Sequence, residues 1–408
     1  MAATSRGRRR ARSHGLLSGR RLATSRLPWL AAGLGAFVAR DARAQSYVDT
    51  RFLYYKESDR RTQVLNPVVG VHQDLGPAFG SLDLLLAYDS ISGASPTGGY
   101  PTVDARTSAS GKTSTAGSFP LANYQDTRKA ASLSWGRRFG AHLPSIDVSY
   151  AKENDYTARG LGLSDAATVF GGRGTLHAGA SFSRDIVAPV TTSLEYPKNT
   201  DGWALGFTWV LGERDLLDVS GSLMKLSGYL DDPYKIVPIG APGGTVTSPD
   251  RRPDTRSRRA LVARYGHYAS WDGALKLSYR YYWDDWSVRA HTLEATYDQK
   301  IGSEWIVTPQ VRLYTQSAAS FYGQIFSAPD AFMSADYRLS SLYSVLGGLA
   351  VSKKLDERTS ASLAATIQSQ VGRDRVVPYS SSGRQAVSAV SAADMTVLTL
   401  TAGFTFGY

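Results

Sequence analysis

Cysteine is absent from the 408-residue chain, which excludes a disulfide-stapled scaffold, thiol catalysis and thiolate metal sites. Histidine is scarce. His14 sits in a basic leader, and the other five, His72, His142, His177, His267 and His291, include no two at metal-ligand spacing, so neither a metal nor a cofactor is expected. No apolar run approaches the roughly 20 residues that a membrane-spanning helix needs. The hydrolase and metalloprotease signatures G-x-S-x-G and H-E-x-x-H are missing as well. Gly111-Lys112-Thr113 has the ending of a phosphate-binding loop, but Arg106 stands where its first glycine belongs and no helical pattern follows. Ser287 and His291 would share one face of a strand, yet about 13 Å apart at strand rise, too far for a hydrogen bond. Enzymatic activity is therefore not expected.

Acidic residues are nearly missing from one segment alone. Residues 1–44 hold ten arginines and one acid, Asp41, followed through the same stretch by an apolar run from Leu27 to Val38 and the small-x-small sequence Ala42-Arg43-Ala44. This pattern predicts a cleavable signal peptide over 1–44, cut after Ala44 with Ala42 as the second small residue, and a single mature domain over 45–408. Arg20-Arg21 lacks the surroundings of a twin-arginine signal. From totals of 46 basic and 35 acidic residues, the mature part keeps 36 and 34, a net of +2. The basic balance belongs to the leader, and no nucleic-acid partner is expected.

What the mature part does contain is alternation. Leu82, Leu84, Leu86 and Tyr88 alternate with Asp83, Leu85, Ala87 and Asp89; Leu275, Leu277, Tyr279, Tyr281 and Trp283 alternate with Lys276, Ser278, Arg280, Tyr282 and Asp284. Period two predicts strands with one apolar and one polar face. Only helices and closed sheets can span a membrane, because unpaired peptide groups in hydrocarbon cost several kcal/mol each. A lysine or arginine on a lipid face at mid-depth costs about 2–4 kcal/mol, so Lys276 and Arg280 must point inward if the sheet is a barrel. The connections alternate too. Short turns at Gly76-Pro77, Gly140–Pro144, Gly171-Gly172, Gly212–Asp215, Trp271–Gly273, Ile301–Glu304 and Asp356–Arg358 interleave with longer ones, roughly Gly93–Asp126, Val187–Asn199, Tyr229–Thr255, Ser317–Asp336 and Gly372–Ala392. The expected fold is all-β, a single transmembrane antiparallel barrel of about 16 strands with short periplasmic turns, longer extracellular loops and both termini in the periplasm. Tyr54, Tyr55, Trp283 and Trp286 at one end, and Trp271 and Trp305 at the other, are expected to form the interfacial aromatic girdles.

The chain ends Leu398-Thr399-Leu400-Thr401-Ala402-Gly403-Phe404-Thr405-Phe406-Gly407-Tyr408. Read alone, this is also compatible with an edge strand of a soluble sandwich. It resembles the closing strand of bacterial outer-membrane barrels, a resemblance that implies Phe404, Phe406 and Tyr408 as an insertion signal for the barrel-assembly machinery.

Several strings near predicted strand ends carry a further resemblance. They are Asp89-Ser90-Ile91-Ser92-Gly93-Ala94-Ser95-Pro96, the stretch from Ser227 to Lys235 around Asp231-Asp232, the stretch from Tyr279 to Trp286, Tyr314-Thr315-Gln316-Ser317-Ala318-Ala319 and Ser334-Ala335-Asp336-Tyr337-Arg338-Leu339-Ser340-Ser341. Together they resemble the bacterial family called domain of unknown function 3570. The resemblance implies an exported barrel in the outer membrane of a Gram-negative bacterium, of unassigned molecular activity. It supplies no catalytic residues.

By alternation Asp49, Arg51, Asn66, Asp83, Asp89, Asp147, His177, Asp218, Arg264, Lys276, Arg280, Asp284, Glu294, Gln310 and Arg312 are candidates to line the lumen. Both signs on one inner wall allow a neutralised, hydrogen-bonded plug or a water-filled channel with opposing acidic and basic arcs. The expected function is a porin-like channel for small polar solutes or ions. The alternative is a non-conducting barrel acting as a surface-interaction or assembly partner through its loops. Expected partners are outer-membrane lipid and lipopolysaccharide, the assembly machinery and a small-solute cargo. Asp231-Asp232 and Asp284-Asp285 allow a Ca²⁺ or Mg²⁺ site, or pairing with arginines such as Arg256, Arg258 or Arg289.

Overall fold

Alternating Val, Leu, Tyr, Thr and Phe residues suit a pleated sheet with one wet and one oily face, and they fold here into eighteen strands. The computed structural model describes residues 46–101, 119–242, 246–380 and 388–408. The leader with its Ala42 and Ala44 and the Gly111-Lys112-Thr113 string lie outside the described residues.

The strands are β1 (Tyr47–Glu57), β2 (Gln63–Asp74), β3 (Ser81–Pro96), β4 (Leu121–Gly136), β5 (His142–Lys152), β6 (Tyr156–Val169), β7 (Gly174–Val187), β8 (Tyr196–Val210), β9 (Asp215–Gly228), β10 (Ile236–Ile239), β11 (Val246–Pro249), β12 (Thr255–Ala269), β13 (Gly273–Asp284), β14 (Arg289–Ile301), β15 (Trp305–Gln316), β16 (Leu342–Lys354), β17 (Thr359–Gly372) and β18 (Met395–Gly407). Sixteen of them form one closed antiparallel barrel, sealed where β1 pairs with β18, while β10 and β11 make a separate hairpin. Closure leaves no strand edge unpaired, the condition for a sheet in hydrocarbon. The expected strand count is realised.

Register sorts every strand into two faces. Thr50, Phe52 and Tyr54 of β1 stand opposite Phe404, Ala402 and Leu400 of β18, and the same face continues through Val69, Leu86, Leu205, Leu261, Leu293 and Leu363. These side chains are bare, Leu363 by 68%, so this is the outward, lipid-compatible face. The other face carries the polar partners. Near the long connections it also carries Tyr55, Tyr314, Leu342, Met395 and Val397, which enclose Tyr337 from a connecting loop. That enclosure identifies the inward face.

All seven short turns fall where sequence places them, at one end of the barrel. The long connections differ in extent. β3 and β4 reach Pro96 and Leu121, which narrows the expected Gly93–Asp126 loop to residues 97–120, and the connection after β15 runs through residue 341, past the expected Asp336. The hairpin of β10 and β11 inside the connection after β9 was not expected. The girdle assignment needs correction at two places. Tyr55 points inward and donates to Glu57 (2.7 Å), and Trp286 is buried against Phe321 and Leu339. Tyr55 shares the inward parity of Asp49 and Arg51, so alternation itself excludes it from the girdle, whereas Trp286 lies beyond the end of β13, where period-two counting fails. Trp271 and Trp305 are exposed at the short-turn end.

Candidate functional site: the lumen wall and its loop closure

From the short-turn end up to the mouth the inward face is a chain of local ion pairs. Arg51 Nε donates to Asp49 (2.8 Å), Arg264 to Asp218 (2.8 Å), Lys276 to Asp298 (2.5 Å) and Arg312 to Glu294 (2.6 Å). His72 lies 2.7 Å from Asp83, and His177 lies 3.0 Å from Asp218, which also accepts from Thr208. Asp89 accepts from Arg128 (2.9 Å) and Asn66, and Asp147 accepts from Ser134 (2.7 Å). Most of these partners sit on adjacent strands, directly opposite in register, as Glu294 and Arg312 do. Locally, each paired carboxylate therefore has a donor beside it. Around the ring, however, the described inward carboxylates Asp49, Asp83, Asp89, Asp126, Asp147 and Asp185 lie on β1–β7 with only Arg51 and Arg128 among them. Arg256, Arg258, Arg264, Lys276, Arg280, Lys300 and Arg312 outnumber the acids of β12–β15, so an acidic arc faces a basic one as considered from sequence. Among the described residues Arg280 makes no ion pair, and its guanidinium lies over the Tyr282 ring at 5.4 Å.

Accessibility divides this wall by depth. The side chains of Asp83, Arg51 and Arg312 remain 52%, 51% and 41% exposed although the barrel surrounds them. Toward the long loops the same inward face is buried. Asp284 takes Arg256 as its partner and accepts from Tyr282; it faces inward, as the alternation implies, but is sealed beneath the loops.

The seal is built by the connections themselves. Residues 317–341 turn back into the mouth, tied by Ala319 N to Leu339 O (2.9 Å), Ser320 N to Trp286 O (2.9 Å) and reciprocal bonds between Met333 and Arg251 (2.9 Å). The hairpin of β10 and β11 joins on through Phe326 N to Pro238 O (2.9 Å), and Ile236 N reaches Thr97 O (2.8 Å). At the centre lies Asp336, 1% exposed, which begins a 3-10 turn by accepting from Arg338 N (3.1 Å). Arg338 bridges it to Asp232 (2.5 Å), Arg252 bridges it at 3.0 Å to Asp250 at 2.6 Å, and Ser334 donates to Asp250. Lys235 donates to Ser95 (3.1 Å) and to the Pro96 carbonyl. Burial alone would raise the Asp336 carboxyl, but the charges of Arg338, Lys235 and Arg252 hold it far below the usual carboxylate range. Burial brings the Lys235 ammonium down to about 8 despite the opposing pull of Asp336.

This closure unites the strings singled out from sequence. Ser95 and Pro96, Asp232 and Lys235, Asp284 and Trp286, Gln316 and Ala319, and Asp336 and Arg338 come from five separate stretches and meet at one end of the barrel. Gln316 Nε2 donates to the carbonyls of Arg338 and Ser340 (3.1 and 2.7 Å). The acidic pairs are engaged with protein donors: Asp231 accepts from Arg252 N (2.6 Å) and Asp285 from Ser257 N (2.9 Å). Sequence reasoning named Arg256 for Asp284 but missed Arg338 for Asp232, a partner 106 residues away. It also missed a different carboxylate group. Asp126, Glu153 and Asp155, all buried, bring ligand atoms within 4.8 Å of one another, beside Arg128 at 3.6 Å from Glu153 and Asn154 donating to Asp126. His291, paired in sequence reasoning with Ser287, lies on the outward face and meets the Tyr279 hydroxyl at 2.8 Å.

The sequence profile of the family described as Protein of unknown function (DUF3570) matches residues 22–196 and 192–375. No curated protein matches the chain. Among solved structures it is similar to the siderophore receptor PirA from Pseudomonas aeruginosa (10% identity, TM-score 0.42), with 89% of this chain covered. It is also similar to a bacterial polysaccharide outer membrane secretin (9% identity, 90% of this chain and 100% of that one, TM-score 0.46) and to OccD3 (OpdP) from Pseudomonas aeruginosa (10%, 89% and 91%, TM-score 0.43). The chain spans 62% of the length of the PirA receptor.

Proposed function

The chain belongs to the family described as Protein of unknown function (DUF3570), and we propose that it is an outer-membrane barrel acting as a porin-like channel for small polar solutes or ions. In this reading the termini and short turns face the periplasm, and the loops that fold into the mouth narrow it from outside. The observation that carries the reading is that inward charges stay half-exposed over much of the barrel's height, from Asp83 near the short turns through Arg51 to Arg312. A dry plug through the whole barrel would bury them, and taking each charge out of water costs several kcal/mol before its partner offsets it. Local pairing keeps the two signs balanced overall, the acidic strands β1–β7 facing the basic strands β12–β15 across the path, a transverse field that orients a small polar solute. Among the described residues Arg280 supplies a cation without an ion pair.

The depth of burial around Asp336 favours a second reading, a non-conducting barrel that presents its closed loop surface to a partner. Swelling of proteoliposomes in solutions of small sugars separates the two. Barrel-dependent swelling is the expected result; a folded, heat-modifiable preparation that leaves the vesicles impermeable favours the second reading. Under that reading, deletion of residues 97–120 would abolish partner capture while insertion continues.

A further inference from the structure

On the outward face Lys129, Lys152, Arg159, Arg184, Lys225 and Arg259 are all exposed. Register fixes that placement: Lys129 stands opposite Tyr88, Arg159 opposite Tyr150, Lys225 in line with Leu223 opposite Trp203, and Arg259 opposite Trp283. Five of the six share a height, and Lys129 stands directly opposite one of them, Lys152. Lys152, Arg159, Arg184, Lys225 and Arg259 each lie ten residues from the short-turn end of their strand, at His142, Val169, Gly174, Asp215 and Ala269. Ten residues at about 3.3 Å, tilted by about 40°, rise about 25 Å, the height of the apolar band of an outer-membrane barrel. The cations thus sit at its upper margin. There a basic side chain costs about 0–1 kcal/mol, against about 2–4 at mid-depth.

Two features ask for an anion. Lys129 is directly opposite Lys152, and Arg159 directly opposite Arg184, arrangements that destabilise a sheet unless something lies between the charges. Among the described strand residues of this arc, Asp201 is the sole outward carboxylate in the long-loop half; it pairs with Arg184 (2.6 Å). At the opposite margin the outward face is sorted differently, with carboxylates paired to histidines, Asp165 to His142 and Asp215 to His267.

We propose that the arc from β4 to β12 is a binding site for a glycolipid bearing phosphomonoester groups, the class that lipopolysaccharide represents. One phosphate bridges Lys129 and Lys152, and a second bridges Arg159 and Arg184, whose guanidinium forks match phosphate oxygens. Acyl chains lie on Tyr150, Leu161, Trp203 and Leu261 below. A zwitterionic phospholipid carries its own ammonium and relieves the repulsion poorly. The inference rests on the outer-membrane placement and is independent of conduction, since a closed barrel would carry the same arc.

The test uses the refolded full barrel in neutral detergent, loaded with lipopolysaccharide or with the same lipid enzymatically dephosphorylated, then gel-filtered. The wild type is expected to retain at least about five times more of the phosphorylated lipid and to unfold at a higher temperature with it. Lys152→Gln/Arg159→Gln/Arg184→Gln should lose that preference, and Lys353→Gln, beside Trp305 at the short-turn margin, should keep it. Equal retention of both lipids by the wild type, or undiminished preference in the triple variant, overturns the proposal. Should the triple variant misfold, the two-lipid comparison on the wild type decides alone.

Discussion

Asp336 concentrates the energetics of the mouth in one carboxylate. Three cations surround it in a nearly dry setting, and removing one partner from such a group leaves the rest buried and uncompensated, at about 3–5 kcal/mol. Asp336→Asn should therefore loosen residues 317–341 while the strands hold. Hydrogen exchange by mass spectrometry would find faster exchange in that segment and unchanged protection in β7 and β8; equal loosening everywhere would point to a global effect instead. Lys235 gives a pH handle of known sign. Its ordinary value of 10.5 falls to about 8 on burial, so between those limits the loop-out state holds a proton that the folded-in state has released. Stability of the closure rises with pH across that window, and below it the cost of burying the ammonium is fully present. Trypsin cleavage in residues 229–254 should slow from pH 8 to 9.5 in the wild type, relative to a Lys235→Met reference whose tyrosines titrate alike. Matching pH profiles would contradict this. Most of these contacts are not legible in sequence, because Arg252, Lys235 and Asp232 reach Asp336 and Arg338 from a different connection and no periodicity links the two.

At the scale of elements, legibility follows periodicity. Leu82–Tyr88 and Leu275–Trp283 announce their strands because the pleat turns every second side chain to one face, and the short turns announce themselves through Gly76, Gly140, Gly171 and Gly302, all at positive φ. The connections obey no such rule. The β10 and β11 hairpin, the 3-10 turn at Tyr337–Leu339 and the burial of Trp286 depend on contacts made only after the barrel closes. β18 is the element with the sharpest consequence, since its pairing with both β1 and β17 completes the ring. Replacing Phe404, Phe406 and Tyr408 together by serine should leave the chain exported and prevent assembly, read as a loss of heat-modifiable migration and degradation in the periplasm. Normal arrival in the outer membrane would refute the assignment of these three residues.

For the molecule as a whole, the inward alternation of charges was legible, and their pairing was not. Sequence separates Glu294 from Arg312 and Lys276 from Asp298, and only the fold shows that the first pair stands directly opposite and the second meets diagonally across neighbouring strands. The result is a wall whose paired charges stay part-exposed below the mouth and are locked at the long-loop end. The central claim is that a water-filled path runs through this wall and that the Asp336 network narrows it. Single-channel recording in planar bilayers tests it most directly. Discrete steps are predicted for the wild type, larger steps for Arg338→Ala, which removes the bridge between Asp232 and Asp336, and a shift toward cation preference for Arg280→Ala. Silent membranes with folded, heat-modifiable wild type and Arg338→Ala alike would contradict it.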